Sequence, residues 1–269
     1  MAVAIKYFTV FGGLEIEIDT TKPILELIEK HVLSKYSYLR TEIGHLTGGY
    51  HVDHAILTGV ALGDRKTTNA FKRAYVSFEQ GMRCVEGLCE RDILDIDSSQ
   101  HFLVDKRNDP KVAKKLIFST PFLRFWFAFV SPIYKGIKEG KFEEFKAKFE
   151  GRESDFSDFI FEELALSFIK NTFTEDPIKQ HGQYWDEKIQ IPLIAKTTSG
   201  KTIVGICKYT DSKIKKSELN KLLEDCKSEN IPTDIVVIFA KNGFTTELKG
   251  LKSETLKLFN VKSLKALVS

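Results

Sequence analysis

The 269-residue sequence is poor in the groups that build metal, redox and nucleotide centres. It holds four cysteines, Cys84, Cys89, Cys207 and Cys226, with neither C-x-x-C spacing nor a partnering histidine pattern, which argues against a zinc knuckle or a dithiol motif and leaves reduced core thiols. Gly12-Gly13 and Gly48-Gly49 lack the Lys-Ser/Thr of a P-loop and the spacing of a dinucleotide turn, so nucleotide-driven work would need another protein. No Ser/His/Asp or Cys/His order suggests nucleophilic catalysis. His45 and His51-Val52-Asp53-His54 have no accompanying ligand framework, so no metal site is expected there. Long apolar runs are also missing. The most hydrophobic stretch, Phe122 to Ile133, contains Arg124 and is too short to span a bilayer, and no charged start precedes a long apolar segment. These absences predict a cytoplasmic protein without membrane contact. The net charge of +3 permits a nucleic-acid partner without requiring one.

What the chain has in quantity is aromatic residues, 12% of the total with Phe alone occurring 21 times, which points to packed cores. The length suggests two domains. From the N-terminus, Tyr7–Gly13 and Leu14–Ile18 read as two short strands around a Gly-Gly turn. Thr21 and Pro23 open a helix with Ile24, Leu25, Leu27, Ile28 and Val32 apolar, and Leu39–Ile43 begins another. Residues 48–63 have no clear period. Phe71, Ala74, Tyr75, Phe78, Met82 and Val85 predict one long amphipathic helix capped by Gly87. Leu88–Leu94 and Phe102–Val104 then read as strands, an order that fits a winged helix-turn-helix. Arg65, Lys66, Lys72 and Arg73 lie where a recognition helix would meet phosphates, the alternative being a solvated basic face. Lys106–Lys115 reads as a connection, and Phe122, Phe125, Trp126 and Phe129 at helical spacing read as core.

The rest of the chain is arranged around Tyr184–Thr210. Ile189, Ile191, Leu193 and Ala195 alternate with other residues, Ser199-Gly200 supplies a turn, and Ile203–Cys207 is a short apolar run, so the stretch predicts a β-hairpin. At a two-residue period Ile206 and Lys208 share a face, and a lysine thus emerges from an apolar strand. An amphipathic helix over about 156–170 precedes the hairpin, and a helix around Leu219–Cys226 and a strand at Ile235–Phe239 follow it.

Several stretches together resemble the C-terminal domain of unknown function of archaeal-type (DEXX-box) AAA-family ATPases, which has a PD-(D/E)xK nuclease-like fold preceded by a winged helix. They are Pro121–Phe127 with Phe129–Pro132, Phe161-Glu162-Glu163, Gly182-Gln183-Tyr184-Trp185, Gly205-Ile206-Cys207-Lys208 and Asn242-Gly243-Phe244, and the resemblance covers roughly residues 90 to 269. It implies an α/β (α+β overall) protein with a winged helix-turn-helix-like domain and N-terminal hairpin over 1–117, an aromatic helical bridge over 118–150, and a restriction-endonuclease-like αβββαβ domain over 151–269. The ATPase part of those proteins has no counterpart expected in these residues.

Where that family carries a metal-binding Asp this chain has Pro192, and where it carries a second acidic ligand it has Ile206. Lys208 and Glu162 remain as remnants of a catalytic centre. Mg²⁺ needs hard oxygen ligands, which proline and isoleucine cannot supply, so the resemblance implies a decayed nuclease with no cofactor. Glu162, Glu163, Asp186 and Glu187 are the residues that could rebuild a displaced Mg²⁺ site. The expected function is non-catalytic binding of double-stranded DNA, through Arg65, Lys66, Lys72 and Arg73. The alternatives are a metal-dependent endonuclease with a relocated ligand and an interaction partner of a separate ATPase or of a second copy of the chain.

Overall fold

The computed structural model describes residues 1–49 and 51–267, for Asp155 its backbone alone. Tyr50, inside the aperiodic stretch 48–63, and Val268 and Ser269, at the end of the expected last domain, lie outside the described residues. The protein is mixed α/β, a helical N-terminal region followed by a five-stranded mixed sheet. It divides into a helical unit, Lys6–Ser98 with Ala113–Glu153, and a sheet unit, Met1–Ile5 with Ser99–Val112 and Ser154–Ser269. This corrects the expected division at 117 and 150. The aromatic bridge is part of the helical unit's core, whereas residues 99–112 belong to the sheet unit.

α1 (Ala2–Phe11), which belongs to the helical unit from Lys6 on, replaces the expected N-terminal hairpin. Tyr7, Val10 and Phe11 are buried at i, i+3 and i+4, a helical set that outweighs the strand-like alternation of Tyr7, Thr9 and Phe11. Gly12-Gly13 ends the helix, with Gly13 at φ 95° and the Gly12 carbonyl accepting from Phe122 N–H at 2.9 Å. Next comes α2 (Ile24–Ile28), with Pro23 as its N-cap residue and a π turn through Leu33. α3 (Tyr36–Thr47) ends at Gly48 in the left-handed region. The stretch without a clear period contains α4 (His51–Leu62).

The expected long helix is two helices, α5 (Thr67–Arg73) and α6 (Phe78–Glu90). Ser77 starts the second by accepting from Gln80 N–H at 3.2 Å, and Gly87 lies inside α6 rather than capping it. The two helices meet closely at Gly81, where a Cβ would stand 2.6 Å from the Phe71 ring. β1 (Leu94–Asp97) pairs antiparallel with β2 (Lys115–Phe118), and Lys66 adds a bridge to Lys115. The hairpin therefore uses different strands from those expected. Leu88–Glu90 finishes α6, and Phe102–Val104 lies in a 3-10 turn of the sheet unit. Lys115 is 1% exposed and stands opposite Asp97, whose carboxyl is held above its ordinary pKa by burial, which the Ser98 N–H and the Lys115 and Arg65 charges offset only in part.

Thr120 caps α7 (Pro121–Phe125), which continues through a π turn to Val130 and a 3-10 turn to Ile133. α8 (Tyr134–Lys138) leads to α9 (Glu143–Thr172), whose first part belongs to this unit. Here the sequence reading of an aromatic core agrees with the structure. The Phe125 ring meets Phe145 and Phe149 edge-on at 6.1 and 5.9 Å, Phe129 meets Phe149 at 5.3 Å, and Trp126 stacks on Tyr36 at 5.7 Å. Among the described residues no helix is long and apolar enough to cross a membrane.

The sheet unit continues with the rest of α9, then β3 (Ile178–Trp185), β4 (Gln190–Thr197), β5 (Thr202–Lys208), α10 (Lys216–Ser228) and β6 (Ile235–Ala240). This is the expected αβββαβ order, extended by α11 (Thr246–Gly250) and β7 (Leu256–Asn260). The sheet runs β3-β4-β5-β6-β7, antiparallel from β3 to β5 and parallel from β5 to β7. The connection between β1 and β2 is fastened to β3. Gln100 N–H donates to Gln183 O at 2.9 Å, Trp185 N–H donates to Ser99 Oγ at 2.8 Å, and Lys106 Nζ donates to Tyr184 Oη at 3.0 Å.

Phe125, fully buried among rings, is expected to be the costliest single truncation in the helical unit. Urea denaturation of Phe125→Ala should show a loss of about 3–5 kcal/mol, whereas Tyr38→Ala, at a residue 64% exposed, should change stability by about 0.5 kcal/mol or less. Equal losses would mean that the ring cluster does not carry the fold.

Candidate functional site

At the end of β5 a cleft of about 360 Å³ opens between sheet and helices. Pro192, Ile206, Cys207 and Lys208 line it from the strands, Asp158 and Glu162 from α9, and Glu218, Lys221, Leu222 and Asp225 from α10. Two of these positions follow directly from strand geometry. Gly182 pairs with Ile194 and Tyr184 with Ile191, so Gln183 alone faces Pro192 and Leu193, a β-bulge that tolerates a residue without an N–H. The β4–β5 ladder begins at Leu193 opposite Gly205, and continuing that register brings Pro192 toward Ile206. Pro192 and Ile206 thus converge on one cleft.

Lys208 is 42% exposed, and its Nζ lies 3.9 Å from Glu218 Oε2, an acid the sequence reading did not single out. Glu162 instead accepts a hydrogen bond at 3.2 Å from the buried Gln183 side chain, and Asp158 accepts from Tyr209 N–H at 2.7 Å. The missed residues had a helical signal. Asp158 lies one helical turn before Glu162, which the sequence reading had named, and Glu218, Lys221, Leu222 and Asp225 recur at i, i+3, i+4 and i+7, so each set shares a face. Cys207 is buried and, with Glu162 and Asp158 also nearby, its thiol is pushed well above the ordinary range, unsuited to nucleophilic attack.

Of the residues considered for rebuilding a metal site, Asp186 serves a turn. Its carboxylate accepts from Tyr184 Oη at 2.6 Å and from the N–H groups of Lys188 and Ile189 at 2.8 and 2.9 Å. Burial alone would raise its pKa, but these hydrogen bonds hold it below the usual carboxylate value. Glu187 is exposed and Glu163 half-buried, and neither lines the cleft. Among the described residues no group of three His, Cys, Asp or Glu side chains is placed to hold a metal ion. The donors at the strand positions, a proline and an isoleucine, do not fit Mg²⁺. Of the histidines, His54 is turned to Thr47, with Nε2 3.0 Å from its Oγ1, and packs edge-on against Phe127.

The four basic residues proposed for DNA contact fall into two pairs at opposite ends of α5, about 10 Å apart at 1.5 Å per residue. Arg65 and Lys66 are half-buried, and their backbone is held against β2, with Leu116 N–H donating to Arg65 O at 2.9 Å. Lys72 and Arg73 are exposed in the last turn of α5 and line a separate cavity of about 610 Å³ with Asp64, Asn69 and Tyr75. The outward residues of α6 include Glu79, Glu86 and Glu90 against Arg83.

Residues 126–222, less than half of the chain, match a family described as archaea bacterial proteins of unknown function, DUF234. The match accords with the resemblance over that stretch. It takes in Glu162, Pro192, Ile206, Lys208 and Glu218 and leaves out α4, α5, α6 and the β1–β2 hairpin. No curated protein and no solved structure matches the chain.

Two outcomes follow. The double change Pro192→Asp with Ile206→Glu is expected to create weak Mn²⁺ binding without full metal-dependent cleavage, because the bulge leaves the new carboxylates misplaced and about 1 Å of error can cost about a hundredfold. Calorimetric heats equal to those of the parent would show that the positions do not converge. For Asp186, a folded pKa below the unfolded value of about 3.8 means a contribution present above that value and lost as pH falls through the folded one. Urea unfolding of the parent should lose stability below about pH 4 more steeply than that of Asp186→Asn.

Proposed function

We propose that this protein binds double-stranded DNA without cutting it, the helical unit making the phosphate contacts. The observation that carries the reading is the order α4, α5, α6 and the β1–β2 hairpin, with Lys66 making a single bridge to Lys115 of β2, an order that fits a winged helix. Charge favours the end of α5 as the contact. Lys72 and Arg73 are exposed there, whereas the carboxylates of α6 would repel a phosphate backbone. The loop joining the two strands is fastened within the sheet unit, so it is not the element that reaches the groove in this reading. The cleft beside Lys208 supports the absence of cleavage in that its strand residues offer no metal ligand, while the Glu218 carboxylate 3.9 Å from Lys208 is the one observation that favours the alternative, an endonuclease with a relocated ligand.

Fluorescence anisotropy with a labelled duplex tests this reading. Affinity should fall steeply with salt, and Lys72→Gln with Arg73→Gln should weaken binding and lower the log–log salt slope by about 2. No binding at about 50 mM salt, or binding indifferent to salt, would refute it. Plasmid incubated with Mg²⁺ or Mn²⁺ should stay intact, and cleavage that disappears in Lys208→Ala would instead favour an endonuclease with a relocated ligand.

A further inference from the structure

Helix ends in this protein repeatedly close in the same way, with the C′ residue in the left-handed region and the following N–H reaching back to close the last turn. At Asp92, Asp105 and Asn230 that residue is Asp or Asn, and at Gly140 it is Gly, the types that tolerate positive φ. The end of α5 is the exception. Val76 N–H donates to Phe71 O at 3.2 Å and Tyr75 N–H to Lys72 O at 3.3 Å, so Tyr75 occupies the C′ position at φ 56°. Arg65 is the other large residue with positive φ, and its carbonyl is held by β2.

Tyr75 gains nothing from packing in return, being 96% exposed. A bulky side chain in a strained conformation and in full contact with water is a feature that stability does not explain. Its surroundings are specific. It borders the cavity lined by Lys72, Arg73, Asp64 and Asn69, and Phe78, also exposed, begins the next helix. Asp64 Oδ2 accepts from Asn69 Nδ2 at 2.8 Å, so the amide is oriented.

We propose that this cavity is a site for a nucleotide unit, in which a base stacks on Tyr75, Asn69 meets its edge, and Lys72 and Arg73 hold the phosphate. The inference rests on the nucleic-acid reading of the helical unit and deepens it, because a base available for stacking must be unpaired, at a strand end or in a single strand. Stacking on an aromatic side chain is indifferent to which base is present, and the two cations supply the sequence-independent part of the affinity. The unit bound is either a nucleotide within a strand or a free mononucleotide, which share this chemistry.

The test measures anisotropy of the full chain with labelled oligothymidylate and with a duplex of the same length, adding thymidine monophosphate as competitor. Tyr75→Asn is the informative variant, because asparagine suits the left-handed position and should leave the melting temperature unchanged or higher. It should weaken oligothymidylate binding about tenfold or more, while Tyr75→Phe, which keeps the ring, should bind as the parent does. Competition by the monophosphate would identify a free-nucleotide site, and strand binding without competition would identify a strand-borne one. Parent-like oligothymidylate affinity in Tyr75→Asn would overturn the proposal, and if the duplex still bound with steep salt dependence the broader reading would stand. A parent protein that binds neither oligonucleotide would overturn both.

Discussion

Burial of β5 on both faces is the constraint on which the sheet unit depends. The strand lies in the middle of the sheet, between antiparallel β4 and parallel β6, with α9 residues on one side and α10 residues among the core on the other. Every residue from Thr202 to Cys207 is therefore buried, and the first side chain able to reach water is Lys208 at the strand end. The same constraint explains Gly205, where a Cβ would stand 2.6 Å from the Val237 carbonyl oxygen and would force β5 and β6 apart. A chemical group on this strand can appear only at its end, which is where the cleft lies.

At Pro192 and Ile206 the strand side of the cleft is apolar. Pro192 supplies neither a carboxylate nor a ladder donor, and the bulge opposite Gln183 accommodates the missing N–H. Ile206 extends the apolar surface that packs with Leu219 and Leu222. Three of the nearby carboxylates are engaged by the protein's own donors, Glu162 by Gln183, Asp158 by the Tyr209 N–H, and Asp186 by a turn. Each is stabilised as an acceptor for the protein's own donors, which competes with binding a cation.

In the helical unit one costly backbone conformation lies in full contact with water. The ring cluster around Phe125 and the close contact at Gly81 fix the helices, and the buried Lys115 beside Asp97 closes the small hairpin. Against that well-packed background the exposed, left-handed Tyr75 stands out, since neither packing nor hydrogen bonding of its side chain accounts for it.

Periodicity alone determined much of this protein. The alternation of Ile191, Leu193 and Ala195, the turn at Ser199-Gly200 and the apolar run to Cys207 specify the β4–β5 hairpin, and the spacing of Phe122, Phe125, Trp126 and Phe129 specifies a buried helical face. These patterns were legible because each is carried by the sequence of one or two adjacent elements. Tertiary structure decided what depends on two elements at once. Whether Tyr7–Phe11 forms helix or strand depends on what buries it, and the break between α5 and α6 depends on Gly81 receiving the Phe71 ring. The acid nearest Lys208 proved to be Glu218, ten residues on and a helix away, because the turn after β5 folds α10 back over the strand end. No local pattern encodes that approach, and only the packing of α10 on the sheet brings the two charges together.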